Sequence, residues 1–274
     1  CSSLFSQIDN FAFRKSVEQI KDRLRPILDE AIKHNVFINL DMEQNDLREL
    51  FLTVADELFC EKAYAGYPHI GIVIQAYLKC ASSDIERIVR LANKRGTPLT
   101  VRLVKGAYWD FEVISSLQKN LEIPVFTDKD QTDANYERCT WQLLKAYPHV
   151  HAAFGSHNVR SLAVAMVAAE KLGLAKSAFE IQMLYGMAGG FKRAVKTLGY
   201  RIREYAPVGQ MLPGMAYLVR RLLENTSNEG FLRAKAVGID SDALLVDPSQ
   251  KPAKEMRKAL SDSGLQFQNA AMID

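Results

Sequence analysis

A chain of 274 residues, 48% hydrophobic and 24% charged, has room for one large α/β domain or two small ones around a sizeable core. Its formal net charge of +3 is too weak and dispersed to mark a nucleic-acid surface, and no apolar run reaches the roughly 18 residues of a membrane span. Four cysteines (Cys1, Cys60, Cys80 and Cys139) show no metal-binding spacing. Those in apolar or helical settings read as buried thiols of a reducing compartment. No signal-peptide pattern is present. The chain starts Cys1-Ser2-Ser3 without methionine, and is expected to be a portion of a longer polypeptide.

Residues 12–35 place Phe13, Val17, Ile20, Leu24, Ile27, Leu28 and Ile32 at spacings of three and four, the pattern of an amphipathic helix. Pro26 is expected to kink or divide it. Val36–Met42 reads as a strand, followed by a helix to about Cys60 capped by Asn45 or Asp46. A second strand spans Ile70–Tyr77, and Ser82-Ser83-Asp84 opens a helix through Lys94 that Gly96 stops. Leu99–Gly106 is the third strand, with a helix from about Asp110 to Asn120. Pro124–Lys129 reads as irregular or a minor strand, and Asp133–Ala146 as a helix. Val150–His157, Phe179–Leu184 and Arg201–Val208 are strands. The helices that follow them are Asn158–Leu172, Gly190–Leu198 and about Pro213–Asn225.

Strict alternation of strand and helix implies parallel strands joined by crossover helices. A doubly wound sheet and a (β/α)8 barrel both fit. No Gly-x-Gly-x-x-Gly follows a strand, which weighs against a dinucleotide fold. Asp41, Gln75, Lys105, His157, Gln182 and Tyr205 gather at the carboxyl ends of strands, where a barrel builds its site. The expected architecture is therefore an α/β, distorted (β/α)8 TIM-like barrel. Residues 1–230 would supply its last six βα units, with the first two strands missing from this chain and 231–274 a connector.

The stretch from Leu99 to Asp110 organises the candidate site. Arg102, Val104 and Gly106 share one strand face, and Leu103 and Lys105 the other. A charge in mid-strand is costly without a partner. Either it joins a structural ion pair, or it binds an anion or an electron-rich ring. Gly106 permits close approach to the backbone, and Tyr108 and Trp109 offer flat faces. Asp41 is a helix cap or the partner of a site cation. His157, in Ser156-His157-Asn158, is a core histidine or a ligand contact. Gln75 and Gln182 are amides able to read the edge of a heterocycle, and Tyr205 is placed to wall a pocket. Arg220 and Arg221 lie on a solvated helix face, or chelate a carboxylate with Glu224 orienting Arg220. The set lacks an obvious nucleophile, the pattern of cofactor-driven chemistry.

Arg102-Leu103-Val104-Lys105-Gly106-Ala107-Tyr108-Trp109-Asp110 closely resembles the flavin-binding strand of the proline dehydrogenase family. Gly71–Tyr77, Ser156-His157-Asn158, Phe179–Met187, Tyr205–Gly209 and Tyr217–Asn225 resemble family motifs in matching order over about residues 36–230. The last two look most like bifunctional members of the proline utilisation A type. The resemblance implies non-covalent FAD, oxidation of L-proline to 1-pyrroline-5-carboxylate and a membrane quinone as electron acceptor. It also implies a covalently linked aldehyde dehydrogenase module downstream, and a cytoplasmic setting peripheral to the inner membrane. By the same resemblance, Arg102 would stand at the flavin N5 region. Met42, Gln75, Lys105, Gly106, Ala107, Trp109, Ser156, His157, Asn158, Gln182 and Glu224 would hold FAD. Arg220 and Arg221 would clamp the proline carboxylate, Tyr205 and Leu184 would pack on its ring, and Asp41 would pair with the site's cations. The family's substrate-site lysine belongs to a strand upstream of the long helix, which this chain does not include. Two rival readings are a Schiff-base lyase or aldolase barrel using Lys105, and a barrel that only binds.

Overall fold

A computed structural model describes residues 4–210, 214, 215, 219 and 245–251. The expected last helix and the connector fall almost wholly outside the described residues. Helix α1, Phe13–His34, runs on through Pro26 as one element, so the proline does not divide it. A helix-interior proline costs about 3 kcal/mol. The buried stripe of Val17, Ile20, Leu24, Leu28 and Ala31 continues across it, and each of the four larger side chains contributes roughly 1.5–3 kcal/mol. Packing therefore outweighs the break.

Helix α2, Arg48–Leu58, is preceded by a 3-10 turn at Asn45–Leu47. Neither Asn45 nor Asp46 caps it. Instead the Asn45 N–H donates to the Glu112 carboxylate at 2.6 Å, so a distant acid satisfies the orphan donor. Ion pairs clasp α1 to α2 and the turn beyond it: Arg14–Glu57 at 2.6 Å, Lys21–Glu57 at 2.9 Å and Arg25–Glu61 at 2.7 Å. The Arg14 hydrogen bond, opposed by burial and joined by Lys21, holds the Glu57 carboxyl down to about 2 from an ordinary 4.5. A carboxyl depressed on folding stabilises the fold above its unfolded value, and that contribution is lost as pH falls. Stability should therefore decline between about pH 4.5 and 2 partly through this group. In Glu57→Gln, denaturant titrations at several pH values should show a shallower decline over that window.

The six described strands are β1 (Ile38–Leu40), β2 (Ile70–Gln75), β3 (Leu99–Val104), β4 (Val150–Gly155), β5 (Phe179–Leu184) and β6 (Arg201–Tyr205). They form one parallel sheet in the order β1-β2-β3-β4-β5-β6. A doubly wound sheet reverses its order at a switch point. An order that advances in one direction is the wall of a barrel, and the sheet is consistent with a distorted TIM barrel. β1 is shorter than the expected Val36–Met42, and β6 stops at Tyr205 because Pro207 restricts Ala206 and has no N–H for a ladder. The helices after β2 to β5 are α3 (Ala81–Arg95), α4 (Trp109–Gln118), α5 (Lys129–Lys145), α6 (Val159–Lys171) and α7 (Gly189–Thr197). α5 starts four residues ahead of the expected Asp133, because the Asp128 side chain accepts the Asp130 N–H at 3.0 Å. The expected irregular or minor strand near Pro124 contributes one antiparallel bridge, Leu78 with Val125.

The two sheet faces differ. Ile70, Ile72, Ile74, Leu99, Val101, Leu103, Val150, Phe154, Phe179, Ile181 and Met183 are buried in one core with residues of the helices. Opposite, on the inner face, stand Asn39, Gly71, Val73, Gln75, Thr100, Arg102, Val104, Ala153, Gly155, Glu180, Gln182, Leu184, Arg203 and Tyr205. Strand alternation and the parallel register dictate this separation.

Candidate active site

Arg102 lies in the middle of β3 on the inner face, in register with Val73 on one side and Ala153 on the other. Its Nη2 donates to the Asp41 carboxylate. The same Asp41 oxygen accepts from Asn39 Nδ2 at 3.1 Å. Asn39 and Asp41 are two residues apart, so alternation puts both on the inner side. Among the described residues no acceptor meets the buried Nε of Arg102. Beside it two glycines let neighbouring side chains pack against the backbone. A Cβ on Gly155 would stand 3.0 Å from Val104 Cγ1, and one on Gly71 would stand 2.6 Å from Asn39 Oδ1.

Gly106 does permit a close approach, and the partner is internal. The Tyr77 ring lies where a Cβ would go, 2.4 Å from the nearest ring atom, and the backbone there has φ +136°. Two hydrogen bonds fix the contact, Ala76 N–H to Val104 O at 2.8 Å and Tyr77 N–H to Lys105 O at 2.7 Å. Gly106→Ala should therefore cost about 2–3 kcal/mol through strain and displacement of a buried ring. A urea midpoint equal to that of the unmodified chain would refute this. Trp109 Nε1 donates to Phe126 O at 2.8 Å, and the indole packs on the small cluster of Tyr77, Leu78, Val113 and Val125. Ala107 is exposed.

Lys105 turns to the helix side. Its Nζ is 2.5 Å from Asp133 of α5 and 5.8 Å from the Tyr136 ring centre, with Lys129 on the other Asp133 oxygen at 3.1 Å. Burial pushes the Asp133 carboxyl up, but the two ammoniums outweigh it and hold it below the usual range. The Lys105 amine is thus committed to a carboxylate on the face opposite Arg102, which removes support from the Schiff-base reading. Gln75 is buried and donates to Glu43 O at 2.9 Å, beside the buried Met42.

At the ends of β4 to β6, several candidates are bound to one another or to the backbone. Ser156 Oγ accepts the Asn158 N–H at 3.0 Å, and Asn158 caps α6 by accepting the Ser161 N–H at 3.2 Å. His157 Nε2 accepts the Leu184 N–H at 3.2 Å, which assigns the ring proton to Nδ1. Leu184 and Tyr205 are register partners and stand side by side on the inner face. Gln182 donates to Glu180 at 2.7 Å, and Arg203 forks the same carboxylate at 2.7 and 3.0 Å. Arg220, Arg221 and Glu224 lie outside the described residues. Asn39, Asp133, Glu180 and Arg203 escape the sequence reading. For Asn39, Glu180 and Arg203 the available signal was position i±2 from a residue already singled out in the same strand.

Fold and site together define a barrel-type α/β protein whose polar groups line the inner face and the carboxyl rim of its parallel strands. Residues 4–234 match the family model described as proline dehydrogenase. The chain belongs to that family. It is 34% identical over 90% of its length to the bifunctional protein PutA of Escherichia coli, and spans 19% of that protein. It is 30% identical over 78% of its length to proline dehydrogenase 2 of Bacillus subtilis, and spans 63% of it. The crystal structure of PutA from Bdellovibrio bacteriovorus inactivated by N-propargylglycine superposes with a TM-score of 0.89. The two are 50% identical, over 93% of this chain and 27% of that one.

Proposed function

We propose that this chain oxidises L-proline to 1-pyrroline-5-carboxylate with FAD as cofactor, in the first step of proline catabolism. The observation that carries the reading is Arg102: a guanidinium at mid-strand on the inner face, oriented by Asp41, with a buried N–H still unmet. The residues present fit a flat, acceptor-bearing ring. Small side chains at Ala153 and Gly155 keep bulk off the adjoining strand, with the Gln75 amide on β2 beside Arg102's strand and the Gln182 amide on β5, one strand beyond β4. When bound, FAD would supply the two-electron acceptor for the hydride of the proline ring carbon beside the amine, with the amine proton passing to solvent. Arg102 stabilises the negative charge that accumulates near it, and Asp41 holds the guanidinium in place before the reaction. Leu184 and Tyr205 offer adjoining surfaces for the proline ring. Arg220 and Arg221 fix the carboxylate by charge-assisted hydrogen bonds, so orientation is set in advance. Met42, Gly106, Ala107, Trp109, Ser156, His157, Asn158 and Glu224 complete the FAD-holding set in this reading, to which Lys105 would add its backbone only, since its amine is held by Asp133 on the opposite face.

Electrons leave to a quinone at the cytoplasmic face of its membrane. The greater length of the bifunctional relatives supports a larger polypeptide, in which two further strands close the barrel and an aldehyde dehydrogenase module follows. The test is a visible spectrum of the full-length protein under anaerobic conditions. Flavin absorption that bleaches on adding L-proline is expected. A colourless protein, or a flavin indifferent to proline, would end the reading.

A further inference from the structure

The inner face carries a second charged assembly that the chemistry at Arg102 does not use. Glu180 on β5 is 8% exposed. Arg203 on β6 grips it with two parallel hydrogen bonds, Nε to Oε1 at 2.7 Å and Nη2 to Oε2 at 3.0 Å. The guanidinium also lies over the Phe37 ring, 5.5 Å from its centre. Burying a carboxylate is costly even when paired, and a well-packed apolar pair would stabilise a sheet at least as well. The third member gives the pair a purpose. Gln182 Nε2 donates to Glu180 Oε1 at 2.7 Å. An ionised carboxylate only accepts hydrogen bonds, so it admits the nitrogen of an amide and rejects the oxygen. Held by its nitrogen, Gln182 turns its oxygen away from Glu180. Gln182 is the register partner of Gly155, whose missing side chain lets Val104 and Arg102 pack close beside it, so the amide stands on the same inner face with one strand, β4, between it and Arg102's own.

We propose that the Glu180–Arg203 pair is a positioning device that locks the Gln182 amide with its oxygen toward the inner-face ligand, so that the site selects a ring presenting an N–H at that edge. The inference rests on the reading of that ligand as a flavin, whose imide nitrogen carries such a hydrogen. Burial would push the Glu180 carboxyl up, but Arg203 and Gln182 outweigh it and keep it ionised. The lock therefore persists through the neutral range.

The test compares FAD with 3-methyl-FAD, in which a methyl group replaces the imide hydrogen. Both are titrated into the flavin-free full chain, with binding read by flavin fluorescence. The unmodified chain should bind 3-methyl-FAD about tenfold or more weakly, as expected for one lost hydrogen bond. In Glu180→Gln the neutral partner accepts either end of the amide, and the preference should fall to about threefold or less. Gln182→Leu should show the same low preference, and adding Glu180→Gln to it should change nothing further. A pair that only braces the sheet would weaken both flavins alike and leave the preference intact, which overturns the inference. A preference near one in the unmodified chain overturns it as well, and that measurement does not depend on any variant folding. Failure of the unmodified chain to bind FAD would overturn the flavin reading itself. Binding of FAD without preference overturns only the positioning role.

Discussion

Arg102→Met is expected to lower proline turnover by about 10²–10³-fold, the usual cost of removing one preorganised donor from a developing negative charge. Thermal stability should change little. Asp41, the partner left behind, has a side chain 55% exposed, so water replaces the lost hydrogen bond without stranding a buried charge. Methionine fills much of the volume beside Val73 and Ala153. Arg102→Lys tests geometry rather than charge. An ammonium can reach Asp41 or a ligand but cannot hold the fork that presents Nε and Nη2 in one plane, so most of the loss should persist. Asn39→Ala should give a milder defect of the same kind, because Asp41 would lose one of the two donors it has among the described residues. The falls in turnover are read from steady-state rates with L-proline and an artificial electron acceptor. Full turnover in Arg102→Met would remove the arginine from the chemistry.

Much of this arrangement was legible from residue order. A cation in mid-strand, a carboxylate at a strand end and amides at two others have a common location only if the strands are parallel neighbours whose carboxyl ends share a rim. That logic favoured a barrel and brought Arg102 toward Asp41. Partner choice across the fold was less accessible. The Asn45 N–H is satisfied by Glu112, 67 residues away, where local spacing pointed to a self-contained cap. Gly106 read as a place of close approach to the backbone, but that the approaching group is Tyr77 no periodicity discloses. Glu180 and Arg203 look like ordinary surface charges until β5 and β6 are known to be adjacent, when the register sets Arg203 opposite Gln182 and diagonally within reach of Glu180. Pro26 does not divide its helix because helix propensity is local while the apolar stripe that overrides it is tertiary.

Arg95→Met should do the reverse of Arg102→Met, with the fold weakened and the chemistry spared. Arg95 is the last residue of α3 and is 8% exposed. Its Nε donates to Phe59 O at 2.9 Å, and its Nη2 to Tyr64 O at 3.1 Å and Tyr67 O at 2.9 Å. These carbonyls lie in the segment that joins α2 to β2, where helix and strand ladders cannot reach them. Burial pulls the guanidinium below its ordinary value, and an arginine has pKa enough to remain charged despite that. Methionine would keep the packing on Phe59 but leave the Phe59 and Tyr67 carbonyls facing apolar surroundings, while Tyr64 O would keep only the Tyr67 N–H at 3.0 Å. At about 1–3 kcal/mol for each buried group left unmet, and with partial relaxation, the loss should be about 4 kcal/mol. For a domain of this size that lowers the melting temperature by roughly 10 °C. Arg95→Lys should recover only part, since one ammonium cannot span three carbonyls on a fixed segment. Turnover per folded molecule, measured well below the transition, should stay near normal in both variants. The segment Arg95 braces leads into β2, yet Gln75 stands at the far end of that strand, held by its own bond to Glu43 O. If instead stability were unchanged in Arg95→Met, the carbonyls would have found other donors, and the segment between α2 and β2 would owe its shape to packing alone.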